Sequence, residues 1–146
     1  MRITYKGDYA LKAIVDLAKH YGNGLVKIQD LARRLDIPQK FLEQVLLDLK
    51  KGGFVESKRG INGGYLLSRH PKEIMVGEVV RFIDGPIGPI ACADKSYKGC
   101  REIDNCVLRD VWRKVSKSTS DIVDSISFEQ IVNRSRERSK NIAYSI

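Results

Sequence analysis

A chain of 146 residues has the length of one domain, or of one small domain with an appendage, and can bury a core without disulfide staples. No stretch approaches the roughly 20 apolar residues of a membrane span, and the N-terminal MRITYKGDYA lacks the apolar core of a secretory signal, so a cytoplasmic chain with no membrane partner is expected. Lys and Arg number 26 against 18 Asp and Glu, and the resulting net charge of +8 favours a polyanionic partner, nucleic acid ahead of an acidic membrane surface.

In YALKAIVDLAKHY the residues Ala10, Ala13, Ile14, Leu17, Ala18 and Tyr21 recur at three and four residues, the stripe of a helix packed on a core, and Gly22 and Gly24 stop it. A second helix, IQDLARRLD, places Ile28, Leu31, Ala32 and Leu35 on one side and ends at Ile37-Pro38, because the residue before proline leaves the α region. Pro38 then opens a third helix, PQKFLEQVLLDLKK. Its spacing turns Phe41, Leu42, Val45, Leu46 and Leu49 inward and Gln39, Lys40, Glu43, Gln44, Asp48 and Lys51 outward. Two short helices joined by a tight turn, the second presenting long polar side chains, are a helix-turn-helix or an ordinary helical hairpin with a solvated face.

The segment FVESKRGINGGYLL favours the first. It begins and ends as strands around Asn62-Gly63, a dipeptide favoured in two-residue type I′ turns, with Lys58 and Arg59 on the tip side. A hairpin directly after a helix-turn-helix is the wing of a winged helix, and a tip arginine suits the narrow, electronegative minor groove. The glycines match neither the dinucleotide nor the phosphate-loop fingerprint and precede a strand rather than a helix. MVGEVVRFID returns to helical spacing before DGPIGPI breaks regular structure.

All three cysteines, Cys92, Cys100 and Cys106, then fall in CADKSYKGCREIDNC, separated by seven and five residues. An odd count in a reducing compartment does not make a disulfide framework. Zinc sites prefer closer C-x₂₋₄-C pairs, and His20 and His70 are both remote from the loop. Iron–sulfur clusters accept thiolates from irregular loops, so cluster, zinc and plain redox thiols all stay open on the residues alone. A long helix follows from about Asn105 to Ser125, with Val107, Leu108, Val111, Trp112, Val115, Ile122 and Val123 on one side. At about 30 Å it outreaches the core of so small a domain, as a dimerisation helix does. In SFEQIVNRSRERSKN, Ser127 caps a short helix carrying Phe128 and Ile131, and the basic end reads as a mobile, solvated tail. No Ser-His-Asp order, metalloprotease helix, paired-carboxylate pocket or nucleotide fingerprint is present, which leaves a thiol redox enzyme as the one enzymatic alternative. A metal-free DNA-binding repressor is the other rival.

The order KGDYALKA, IPQKFLEQVLLDLKKGGFVES, RGINGGYLLSR, VGEVVRFID and three loop cysteines ahead of a long helix resembles the IscR and NsrR group of bacterial winged-helix transcription regulators across essentially the whole chain. The resemblance implies a homodimer on double-stranded promoter DNA whose loop cysteines hold an iron–sulfur cluster. A two-iron cluster is preferred, with a four-iron cluster as the alternative. It implies base-reading roles for Lys40, Glu43 and Gln44 and a minor-groove role for Arg59, with Gln39 and Lys58 beside them. Glutamine can pair with adenine, lysine can reach guanine, and glutamate can accept from cytosine. IscR-like members use a histidine three residues after the last cysteine as fourth ligand; here Arg109 stands there, and arginine cannot ligate iron. NsrR-like members take a carboxylate from the start of the partner's first helix, where this chain has Asp8; the plain reading of Asp8 is a first-turn acid favoured by the helix dipole. Asp94, Glu102, Asp104 and Asp110 are further oxygen donors near the loop.

The expected fold is mainly α with a small β-hairpin wing: a winged helix-turn-helix over 1–85, a cysteine loop over 86–106, a dimerisation helix over 107–126, and a C-terminal helix and basic tail over 127–146. The expected function is control of iron–sulfur cluster biogenesis genes according to cluster status, with nitric-oxide or redox sensing as the alternative.

Overall fold

The computed structural model describes residues 1–145 and starts its first helix where the sequence offers a cap. Thr4 Oγ1 accepts from the Gly7 N–H at 3.0 Å, and α1 (Tyr5–Lys19) follows. The helix therefore begins at Tyr5 rather than Tyr9, because its first turn is built on a cap and carries little of the core stripe. Ala10, Ala13, Ile14, Leu17 and Ala18 are buried as the spacing predicts. In α2 (Ile28–Leu35) Leu31 enters the same core, and Asp36 ends the helix in the left-handed region with φ 53°. Pro38 stands just before α3 (Gln39–Lys51) as its cap.

Leu42, Val45, Leu46 and Leu49 fill the inward face of α3, but Phe41 is 62% exposed. Those aliphatic residues already occupy the core face, and Phe41, at its edge, lines a surface notch with Tyr5 and Tyr9. Asp48 also departs from the outward set, since it pairs with Lys6 of α1 at 2.5 Å.

The wing is an antiparallel hairpin of β1 (Val55–Lys58) and β2 (Gly64–Leu67), with Val55 opposite Leu67 and Lys58 opposite Gly64. Its tip is not the expected two-residue type I′ turn. Arg59 to Gly63 form the connection, the Gly63 N–H donates to the Gly60 carbonyl at 3.0 Å, and the positive φ falls on Gly60, at 107°. Gly63 and Gly64 are needed for room. A Cβ on Gly63 would stand 2.2 Å from the Lys58 carbonyl oxygen, and one on Gly64 would stand 2.5 Å from that of Val26. Val26 and Tyr65 exchange two backbone hydrogen bonds at 2.8 Å, which ties the wing to the connection before α2.

A 3₁₀ turn (Pro71–Glu73) leads into α4 (Val76–Asp84), which buries Val79 and Val80. Next come the cysteine segment, α5 (Val107–Asp124) and α6 (Phe128–Ser145). α5 buries none of its residues. By contrast, α6 returns to the core: Phe128 and Val132 are buried beside α1, and the Phe128 N–H donates to the Ile74 carbonyl at 3.1 Å. Ser127 caps it as expected, its Oγ accepting from the Gln130 N–H at 3.3 Å while Gln130 Oε1 accepts from the Ser127 N–H at 2.8 Å. The short helix followed by a mobile tail is thus replaced by one helix to Ser145, because an anchored first turn nucleates a run rich in the helix formers Arg, Glu and Lys. Ile146, the last residue of the expected tail, lies outside the described residues.

Candidate DNA-reading surface and cysteine loop

The core face of α3 dictates what its opposite face offers. With Leu42, Val45, Leu46 and Leu49 inside, Gln39, Lys40, Glu43 and Gln44 are exposed. Gln39 Nε2 donates to Glu43 Oε1 at 3.2 Å and Gln44 Nε2 to Asp48 Oδ1 at 3.4 Å, so each amide is held by a carboxylate one turn on. The wing folds back beside this helix, and Lys50 Nζ donates to Ser57 Oγ at 2.8 Å across the gap. Between them lies an open groove of about 800 Å³ lined by Glu43, Lys58 and Arg59 together with Lys27, Gln29 and Lys50.

The structure therefore brings Glu43, Lys58 and Arg59 to one concave surface. Gln39, Lys40 and Gln44 lie outside that groove lining, and Gln44 borders the aromatic notch instead. Lys27 and Gln29 escaped the sequence reading because only the Val26–Tyr65 pairing brings the start of α2 up to the wing, and Lys50 because its approach to Ser57 depends on how the wing folds back on α3. Four cations against one carboxylate among these groove residues suit a polyanionic backbone.

The cysteine segment is slung between α4 and α5, and the last turn of α4 is clamped to the C-terminal end of α5. Arg81 donates to Asp124 through Nη1 at 2.5 Å and Nη2 at 2.9 Å. Hydrogen bonding from Arg81, opposed by desolvation and aided by its charge, holds the Asp124 carboxyl below the usual carboxylate range. Ser116 Oγ donates to the Ile87 carbonyl at 2.6 Å, and the 3₁₀ turn Ala91–Ala93 packs on α5 with Ala93 buried. Beyond it, two hydrogen bonds from Ser96 lower the Asp94 carboxyl. Cys106 is the N-terminal cap residue of α5.

All three thiols are free, with Cys92 and Cys106 half-buried and Cys100 exposed. Among the described residues no group of three or more His, Cys, Asp and Glu side chains is gathered as a metal site. The cysteines thus share a loop without converging. Asp8 pairs with Lys12 at 2.7 Å in the first turn of α1, and its hydrogen bond is the chief cause that raises the Lys12 pKa. The histidines are occupied elsewhere: His20 Nδ1 lies 2.8 Å from the Asp16 carbonyl oxygen, and His70 Nδ1 accepts from the Lys72 N–H at 3.1 Å. Arg109 donates to two loop carbonyls, those of Cys92 at 3.0 Å and Ile103 at 3.2 Å. Among the described residues no helix is long and apolar enough to cross a membrane.

The Rrf2 family model, an iron-dependent transcriptional regulator, matches residues 3–134. The HTH-type transcriptional regulator IscR of Photorhabdus laumondii is 38% identical over 133 residues, 91% of this chain and 80% of that protein. Among solved structures, T. potens IscR gives a TM-score of 0.76 at 33% identity, covering 94% of this chain and 90% of that one. CymR, the global cysteine regulator of B. subtilis, gives 0.76 at 28% identity, covering 92% and 98%.

Proposed function

Because the chain belongs to the Rrf2 family of transcriptional regulators, a non-enzymatic class, we propose that it binds promoter DNA as a homodimer and holds an iron–sulfur cluster on Cys92, Cys100 and Cys106. The observation that carries the reading is the placement of three free thiols on one loop that runs into the N-terminus of α5. The donor set fits a thiolate-ligated cluster in chemistry: soft sulfur ligands on an irregular, partly exposed loop, with the positive end of a helix at Cys106. Binding requires the loop to gather its three thiols, which form no such group among the described residues. Asp8 of the partner subunit is the fourth ligand in this reading, released from its pair with Lys12. A two-iron cluster is preferred and a four-iron cluster is the alternative. When bound, such a cluster supplies a redox- and supply-sensitive signal. Likeness to IscR supports control of cluster-biogenesis genes as the output.

The chain's own residues do the rest. Arg59 reaches into the minor groove while Lys40, Glu43 and Gln44 meet base edges and Gln39 and Lys58 contact backbone. Closing the cysteine loop at the root of α5 biases the spacing of two recognition helices, so that loop state and DNA affinity are coupled. Anaerobic purification with iron and sulfide assays, followed by promoter binding with and without cluster, tests both halves. Stoichiometric iron and sulfide, lost when a loop cysteine is replaced, and a promoter affinity that differs between the two forms are expected; equal affinity at every candidate promoter would end the sensor reading. A second reading, a metal-free repressor in which the cysteines are incidental, predicts DNA control that survives Cys→Ser substitution at all three positions.

A further inference from the structure

We propose that Arg109 is the positioning residue of the cysteine loop, a role that rests on the reading of that loop as the cluster site. Its Nε donates to the Cys92 carbonyl at 3.0 Å and its Nη1 to the Ile103 carbonyl at 3.2 Å. Cys92 opens the thiol-bearing segment, Ile103 lies near its close, and Arg109 itself stands in α5 three residues after Cys106. One side chain therefore fixes the backbone at Cys92 relative to Cys106 and pinches residues 92–103 into a closed loop from which Cys100 stands exposed.

A guanidinium suits this task and cannot serve as a ligand. It offers N–H donors in a rigid planar fork, has no acceptor, and stays charged at any relevant pH. Two carbonyls more than ten residues apart in sequence are held at a fixed relative angle, which a lysine, with a single rotating ammonium, does not reproduce. Its charge is also tied to the backbone of the loop that must collect three thiolates, where a cation offsets their mutual repulsion. Arg109 thus sets where the Cys92 backbone lies relative to α5, the helix that Cys106 caps.

The test uses the full chain with Arg109→Ala and Arg109→Lys. In the metal-free protein, timed iodoacetamide alkylation is read separately for each cysteine by peptide mass, with Cys100 as internal reference. Loss of the fork should raise the Cys92 to Cys100 rate ratio about 5-fold or more in Arg109→Ala and less in Arg109→Lys. After reconstitution, iron loss to a chelator should quicken about 10-fold in Arg109→Ala, on the scale of one charge-assisted hydrogen bond. Far-UV circular dichroism checks the helices; if Arg109→Ala fails to fold, the Arg109→Lys ratio decides. An unchanged ratio in a folded variant overturns the proposal. If the parent protein takes up no iron and sulfide, the cluster reading falls, and the alkylation ratio still decides whether Arg109 holds Cys92.

Discussion

Arg59 stands exposed where β1 ends, and Glu43 faces it across the groove already hydrogen-bonded by Gln39. The two residues act on DNA in opposite senses. The arginine attracts any backbone or narrow minor groove, so Arg59→Ala should weaken promoter binding by about 1 to 3 kcal/mol, measured by fluorescence anisotropy at one fixed salt concentration. The glutamate repels phosphate and disfavours bases that leave its charge unpaired, so Glu43→Ala should broaden the sequences tolerated, read by selection from a random library. Parent-like binding by both variants would relocate the reading surface. At this scale the sequence was informative wherever burial alone decides. Leu42 and Val45 are inside because helical spacing puts them there, whereas Phe41 is outside because adjacent aliphatics had filled the face. The wing glycines were found for the wrong reason. A dipeptide preference pointed to a two-residue turn at Asn62-Gly63, while the need at Gly63 and Gly64 is clearance from the carbonyl oxygens of Lys58 and Val26, the second of which depends on how the wing lies against the connection before α2.

Among the elements, α6 is the one whose role was least legible. Its apolar residues are few and its charges many, so composition favoured a tail; only the docking of Phe128 against Ile74 and α1 makes it structural. Phe128→Ala should therefore cost about 3 to 5 kcal/mol in chemical denaturation, as for a fully buried ring. A loss below about 1 kcal/mol would return α6 to the status of an appendage. The clamp between α4 and α5 carries a pH dependence. Asp124 is held below its ordinary pKa chiefly by the hydrogen bonds from Arg81. Its contribution is thus fully present above the ordinary carboxylate range and is lost as pH falls through the depressed value. Both side chains are more than a third exposed, so solvent screening limits the contribution to about 0.5 to 1 kcal/mol. Asp124→Asn should lower stability by that amount at neutral pH, with parent and variant converging in acid; a gap that persists in acid would assign the loss to packing. The helices, the wing and the loop were readable because each has its own period or breaker residues. The clamp was not, since Arg81 and Asp124 are 43 residues apart and nothing local links them.

For the whole molecule the decisive feature is the apolar side of α5. Val111, Val115 and Ile122 recur at helical spacing and are 47%, 42% and 61% exposed, in a helix with no buried residue. A single exposed aliphatic side chain is ordinary, but a stripe along a helix of 18 residues, about 27 Å, is the kind of patch that a second copy covers. On the proposed homodimer, Ile122→Glu puts a charge into that contact while leaving the protomer's own core untouched. Sedimentation at micromolar concentration should then move from twice the chain mass to the 16.5 kDa of one chain. Unfolding of the variant should lose any dependence on protein concentration, because association no longer stabilises the fold by mass action. Promoter affinity should fall by at least about 100-fold, since each half-site is now bound without the effective concentration supplied by its neighbour. The dependence of log affinity on log salt should fall to about half its slope, because one protomer neutralises half the phosphates. A variant that remains dimeric and keeps the parent slope would show that the two protomers meet elsewhere, and α5 would then need a different partner for its exposed side.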